Sequence, residues 1–82
     1  MICIIDNYPS GGEEAIGRIA EVCRGFGRVD IVKYRDFDAC ELSAWKAAVL
    51  SGSTAADRRA IGCCLSIVRR LLNSNVPTLG IC

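Results

Sequence analysis

The chain has 82 residues, 51% hydrophobic and 23% charged, with ten basic side chains against nine acidic ones for a net charge of +1. That balance shows no basic stripe and argues against a nucleic-acid partner, while the apolar share argues against a disordered chain. No signal peptide precedes the first strand and no apolar run approaches the roughly 20 residues of a membrane span, so the sequence predicts a cytoplasmic location with no membrane partner.

The elements come in alternation. Residues 2–6, Ile-Cys-Ile-Ile-Asp, form a short β-branched apolar run that reads as a buried strand. The stretch 7–12 is turn-rich, and Ser10 followed by Glu13 has the spacing of a capping box. Ile16, Ile19, Ala20 and Cys23 then recur at helical spacing, with Gly25 placed to end the helix. Residues 28–35 alternate, Val29 and Ile31 against Asp30, as an edge strand does. Residues 38–42 suit one short helical turn, and 47–50, Ala-Ala-Val-Leu, a third strand closed by Ser51-Gly52-Ser53.

Thr54 and Asp57 offer the start of a second helix over 56–72. Its predicted apolar face is Ile61, Cys64, Leu65, Val68, Leu71 and Leu72, with Arg58, Arg59, Ser66, Arg69 and Arg70 opposite as a solvated face. Asn73-Ser74-Asn75 stops this helix, and 76–82 forms a fourth strand entered through Pro77. Strands alternating with helices predict a parallel sheet with right-handed crossovers. The expected architecture is three-layer α/β and flavodoxin-like, strand order 2-1-3-4, incomplete on its C-terminal side. Functional groups gather at the carboxyl ends of such strands, here Asp6-Asn7-Tyr8, Ser51-Gly52-Ser53 and Cys82.

Of the six cysteines, Cys3, Cys23, Cys40, Cys63, Cys64 and Cys82, four lie within apolar periodic segments, where small buried residues belong. There is no C-x-x-C pair and no histidine, so neither a metal nor another cofactor is expected. A phosphate loop of the G-x-x-x-x-G-K type is absent. A phosphoacceptor receiver would need an acid where Ser51 ends the third strand. Asp6 reads as a strand-end residue that organises the Asn7-Tyr8 turn, and Trp45 as a packing residue beneath the third strand.

Three strings in register carry a resemblance. Ile4-Ile5-Asp6-Asn7-Tyr8, Val49-Leu50-Ser51-Gly52-Ser53 and above all Pro77-Thr78-Leu79-Gly80-Ile81-Cys82 resemble the first strand, the oxyanion turn and the nucleophile strand of class I glutamine amidotransferases. The resemblance spans residues 1–82 and implies the N-terminal half of one glutaminase domain. It implies Cys82 as nucleophile, with the turn at Gly52 and Ser53 as the oxyanion-hole loop and the Ser53 N–H as its one donor. Such chemistry is acyl transfer, in which a thiolate attacks the glutamine amide and backbone N–H groups hold the oxyanion. The complete protein would pass ammonia to a synthase subunit or domain.

Two departures stand beside the likeness: Ser53 occupies the family's glycine, and Thr54 its proline. The family's histidine and acidic partner are missing from these residues, so the chain alone is expected to be inactive, a truncated front half. The alternative is a non-catalytic α/β binding or structural module that kept the fold without the chemistry. In either case, the outer edge of the fourth strand is apolar and invites self-association.

Overall fold

The computed structural model describes residues 1–8, 10–39, 42–52 and 58–81. Strand β1 (Ile2–Asp6) leads into helix α1 (Glu13–Arg24), and β2 (Val29–Lys33) is followed by two 3-10 turns, Tyr34–Ala39 and Leu42–Ala44. Strand β3 (Ala47–Leu50), helix α2 (Arg58–Asn73) and β4 (Thr78–Gly80) complete the chain. All strand pairs are parallel and their order is β2-β1-β3-β4, the 2-1-3-4 order expected of an α/β flavodoxin-like sheet. The edge position of β2 accounts for its exposed Asp30 and Ile31.

Every residue of β1 is buried, because it is central and covered on both faces. Its alternate side chains feed two cores. Ile2 and Ile4 pack with Val49 beneath Ile16 and Ala20 of α1. Cys3 and Ile5 pack on the opposite face with Ala48, Trp45 and Phe37, and with Ile67 and Leu71 of α2. Trp45 is thus core, its ring centroid 5.9 Å from that of Phe37.

The apolar face of α2 needs correction. Ile67, absent from the predicted face, is 3% exposed and Leu71 0%, whereas Leu65 and Leu72 are 62% and 67% exposed. At 3.6 residues per turn, Leu65 and Leu72 lie roughly 140–160° around the helix from Ile67. The helix is apolar over a wider arc than one sheet face can cover, and the sheet takes the Ile67–Leu71 side. The side chains of Ile61 and Cys64 lie outside the described residues, as do Thr54 and Asp57. Arg70 is also not merely solvated: its guanidinium sits 5.0 Å from the Phe37 ring centroid.

The start of α1 and the ends of both helices are set locally. The Ser10–Glu13 capping box does not form. Gly12 is the N-cap residue at φ 78, with no side-chain cap, and its carbonyl accepts from the Ile16 N–H at 2.9 Å. Gly11 and Gly12 both adopt positive φ, so the helix begins at Glu13 and Ser10 falls two residues short of the cap. Helix α1 ends at Gly25 in ordinary right-handed geometry.

Helix α2 ends differently. Asn75 takes φ 57, its N–H donates to Leu72 O and the Val76 N–H to Leu71 O, both at 3.2 Å. This is a Schellman stop with the expected apolar contact, since Val76 and Leu71 share one core. It turns the chain back into β4.

Candidate functional site

In a 2-1-3-4 sheet the chain leaves β1 towards β2 on one side and returns to β3 on the other. The crevice beyond the carboxyl ends of β1 and β3 is therefore the topological switch point, where ligands of such sheets bind. Three buried polar residues meet there: Asp6 at the end of β1, Asn7 after it, and Ser51 after β3. The β3 turn is tied to β1 by three bonds. The Ser51 N–H donates to Ile5 O at 3.0 Å. The Asn7 N–H donates to Ser51 Oγ at 2.8 Å, and Asn7 Nδ2 to Ser51 O at 3.0 Å. The Ser51 hydroxyl in turn donates to Gly52 O at 2.9 Å.

The β2 end joins the same network. The register sets Lys33 opposite Asp6, and Lys33 Nζ bridges Asp6 Oδ2 at 3.0 Å and Tyr8 O at 2.8 Å. Asp6 Oδ1 accepts from the Tyr8 N–H at 3.0 Å, the turn-organising role read from its position. The buried carboxylate thus has both a cation and a backbone donor. No buried side-chain polar atom is left unpaired among the described residues.

The chemistry follows from what is already used. The Ser51 hydroxyl accepts one bond and donates another, so it is a structural tie and not a free nucleophile. The half-buried Gly52, by contrast, has an N–H that meets no acceptor among the described residues. Of the predicted site residues, Gly52 lies at the switch point, while Ser53 and Cys82 lie outside the described residues. The strand before Cys82 reaches the same end of the sheet: Leu50 pairs with Gly80, and the Ile81 N–H donates to Leu50 O at 2.9 Å.

Sequence reasoning missed the Lys33 bridge and the Asn7–Ser51 tie. The signals were a lysine at the end of the second strand and two amide- or hydroxyl-bearing residues at the ends of strands that become neighbours.

Elsewhere, a groove of about 290 Å³ runs between α1 and the β3–β4 side, lined by Arg18, Ile19, Val22, Cys23, Val49, Leu79 and Ile81. Cys23 and Cys63 are free thiols. Among the described residues, no cluster of histidine, cysteine, aspartate or glutamate could hold a metal, and no helix is long and apolar enough to cross a membrane. No family model matches this chain, and neither a curated protein nor a solved structure does.

Proposed function

We propose that this chain is the nucleophile-bearing half of a class I glutamine amidotransferase domain, cytoplasmic, taking glutamine and handing ammonia to a synthase partner. Cys82 is the nucleophile in this reading, and the Gly52-Ser53 turn supplies one oxyanion donor, the Ser53 N–H. The observation that carries it is the arrival of β4 beside β3, with Ile81 bonded to Leu50 at the foot of a turn held to the switch point. Acyl transfer requires a nucleophile, and the Pro-x-Leu-Gly-Ile-Cys string, read by resemblance as the nucleophile strand, would bring a thiol to that end of the sheet.

The test is direct. The product of the complete reading frame is incubated with glutamine and, separately, with a glutamine-analogue diazoketone. Ammonia release and an adduct on Cys82, located by mass spectrometry, are the expected results. The gene read past codon 82 is expected to supply a histidine and its acidic partner.

A non-catalytic module is the second reading. The mutual pairing of Asp6, Asn7, Lys33 and Ser51 favours it, because side chains occupied in holding loops need no chemistry to explain them. That reading predicts no adduct on Cys82 and no ammonia.

A further inference from the structure

The two edges of the sheet are built differently. Along β2, Arg28, Asp30 and Lys33 place charge on the outer strand, the usual guard against pairing with another chain. The run Val76–Ile81 at the β4 edge carries no charged side chain. Pro77 is no guard either: its carbonyl accepts from the Ala48 N–H at 2.8 Å, so its missing N–H faces β3 and not the outer edge. The Ile81 N–H also turns to β3, which leaves the N–H and C=O groups of Thr78 and Gly80 pointing outwards. The apolar groove adjoins this open backbone. Leu79 and Ile81, 61% and 39% exposed, line it together with Val22 of α1, 67% exposed.

These outward groups are their own complement. In an antiparallel ladder, facing residues alternate between pairs that exchange both backbone bonds and pairs that exchange none. Thr78 and Gly80 stand two apart with Leu79 between them, and the reversed strand presents the same two residues in the opposite order. Setting Thr78 against Gly80 of a second copy, and Gly80 against its Thr78, satisfies every outward group. Leu79 then lies opposite Leu79 of the second copy in a non-hydrogen-bonded pair, where Cα atoms approach to about 4.5 Å. We propose that β4 is the dyad strand of a symmetric homodimer: two copies pair antiparallel through Thr78 and Gly80, with Leu79 against Leu79, and join two four-stranded sheets into one. The two-fold axis is normal to the sheet, so both α1 helices lie on one side of it. Their grooves merge across the axis into one apolar strip that each copy covers for the other.

Three consequences follow. The assembly closes at two copies, because pairing consumes the β4 edges and leaves only the charged β2 edges exposed. With a net charge of +1, the copies meet little long-range repulsion. A three-residue strand and three partly exposed side chains per copy bury less than the ~1,200 Å² of a standard interface, so the dimer is weak and dissociates on dilution. The inference goes beyond the glutaminase reading and does not rest on it, since no residue at the switch point takes part.

The experiment uses the 82-residue chain. Sedimentation velocity from about 10 µM to about 1 mM should show monomer passing to dimer and nothing larger. In an equal mixture of carbon-13-labelled and unlabelled chains, isotope-filtered NMR should give a cross-peak between the Leu79 Hα protons of the two copies, because they face each other across the axis. Leu79→Lys sets two cations opposite one another and should raise the dissociation constant ~10-fold or more. Leu65→Lys adds the same charge at an exposed leucine of α2 and should leave it within about threefold. The cross-peak needs no variant, so the proposal stays decidable even if Leu79→Lys fails to fold. A chain monomeric up to about 1 mM, a dimer without the Leu79 cross-peak, a dimer that Leu79→Lys leaves intact, or growth beyond two copies would each overturn the proposal. So would a monomeric chain whose Thr78 and Gly80 amides gain exchange protection only in the product of the complete reading frame, which would assign the edge to a later strand. The ammonia assay and Cys82 labelling are untouched by any of these outcomes.

Discussion

Replacing Ser51 by alanine removes one oxygen from the most constrained point of the switch-point network. That oxygen accepts the Asn7 N–H at 2.8 Å, and both residues are buried. Without it, the bond from the Asn7 N–H is lost in a buried setting. The donation to Gly52 O is also lost, but Gly52 is half-buried and water can replace it. The expected cost is therefore the desolvation penalty of one stranded donor, ~1–3 kcal/mol. Against a total of ~4–12 kcal/mol for a chain this long, the loss is large. At ~4–8 °C per kcal/mol for a domain of this size, Tm falls by roughly 4–24 °C.

Urea and thermal unfolding measure the loss, and hydrogen exchange at the Asn7 amide locates it, since protection there should collapse before the strand interiors lose theirs. Thr78→Val is the control: Thr78 Oγ1 donates to Val76 O, but its side chain is exposed, so the change should stay within ~0.5 kcal/mol. A Ser51→Ala protein as stable as wild type, with the Asn7 amide still protected, would refute the assignment of Ser51 Oγ as its acceptor.

Three further outcomes are expected. Leu71→Ala empties a fully buried site between α2 and the sheet and should cost ~2–5 kcal/mol in urea unfolding, whereas Leu72→Ala, exposed, should cost within ~0.5 kcal/mol. Gly12→Ala should destabilise more than Gly11→Ala: both take ~1–2 kcal/mol of left-handed strain, but only at Gly12 does the new Cβ run into the Tyr8 ring, a difference that thermal unfolding and the Tyr8 ring resonances would register. The chain should self-associate through β4 in sedimentation velocity, and Gly80→Pro should weaken this without disturbing β3. The Pro77 carbonyl and the Ile81 N–H point to β3, so Thr78 and Gly80 direct their backbone groups to the outer edge.

The elements most legible in the sequence were those whose physics is local. The run 2–6 and the run 47–50 read as buried strands because central parallel strands are apolar on both faces, and the strand order followed from alternation with helices. Helix α2 was legible as a helix but not in its rotation. Its apolar residues span more than half the circumference, so periodicity alone cannot say whether Leu65 or Ile67 faces the sheet. The Ser10–Glu13 spacing fits a capping box, yet two glycines with positive φ intervene, and only the packing of Tyr8 against Gly12 shows why. At the site, Asp6 and Ser51 could be placed at strand ends. The bond between Asn7 and Ser51 spans 44 residues of sequence and exists only because β1 and β3 are neighbours.

Holding a turn and performing chemistry make opposite demands on a side chain. A group that ties two loops must have its hydrogen-bonding capacity filled, while a reactive group must keep some of it open. At this switch point Asp6, Asn7, Lys33 and Ser51 stand wholly on the first side, each bonded across strand ends. The backbone N–H of Gly52 stands on the other, unfilled among the described residues. The ammonia assay, together with Cys82 labelling, decides whether the crevice beyond these strand ends takes glutamine or the joint is only structural.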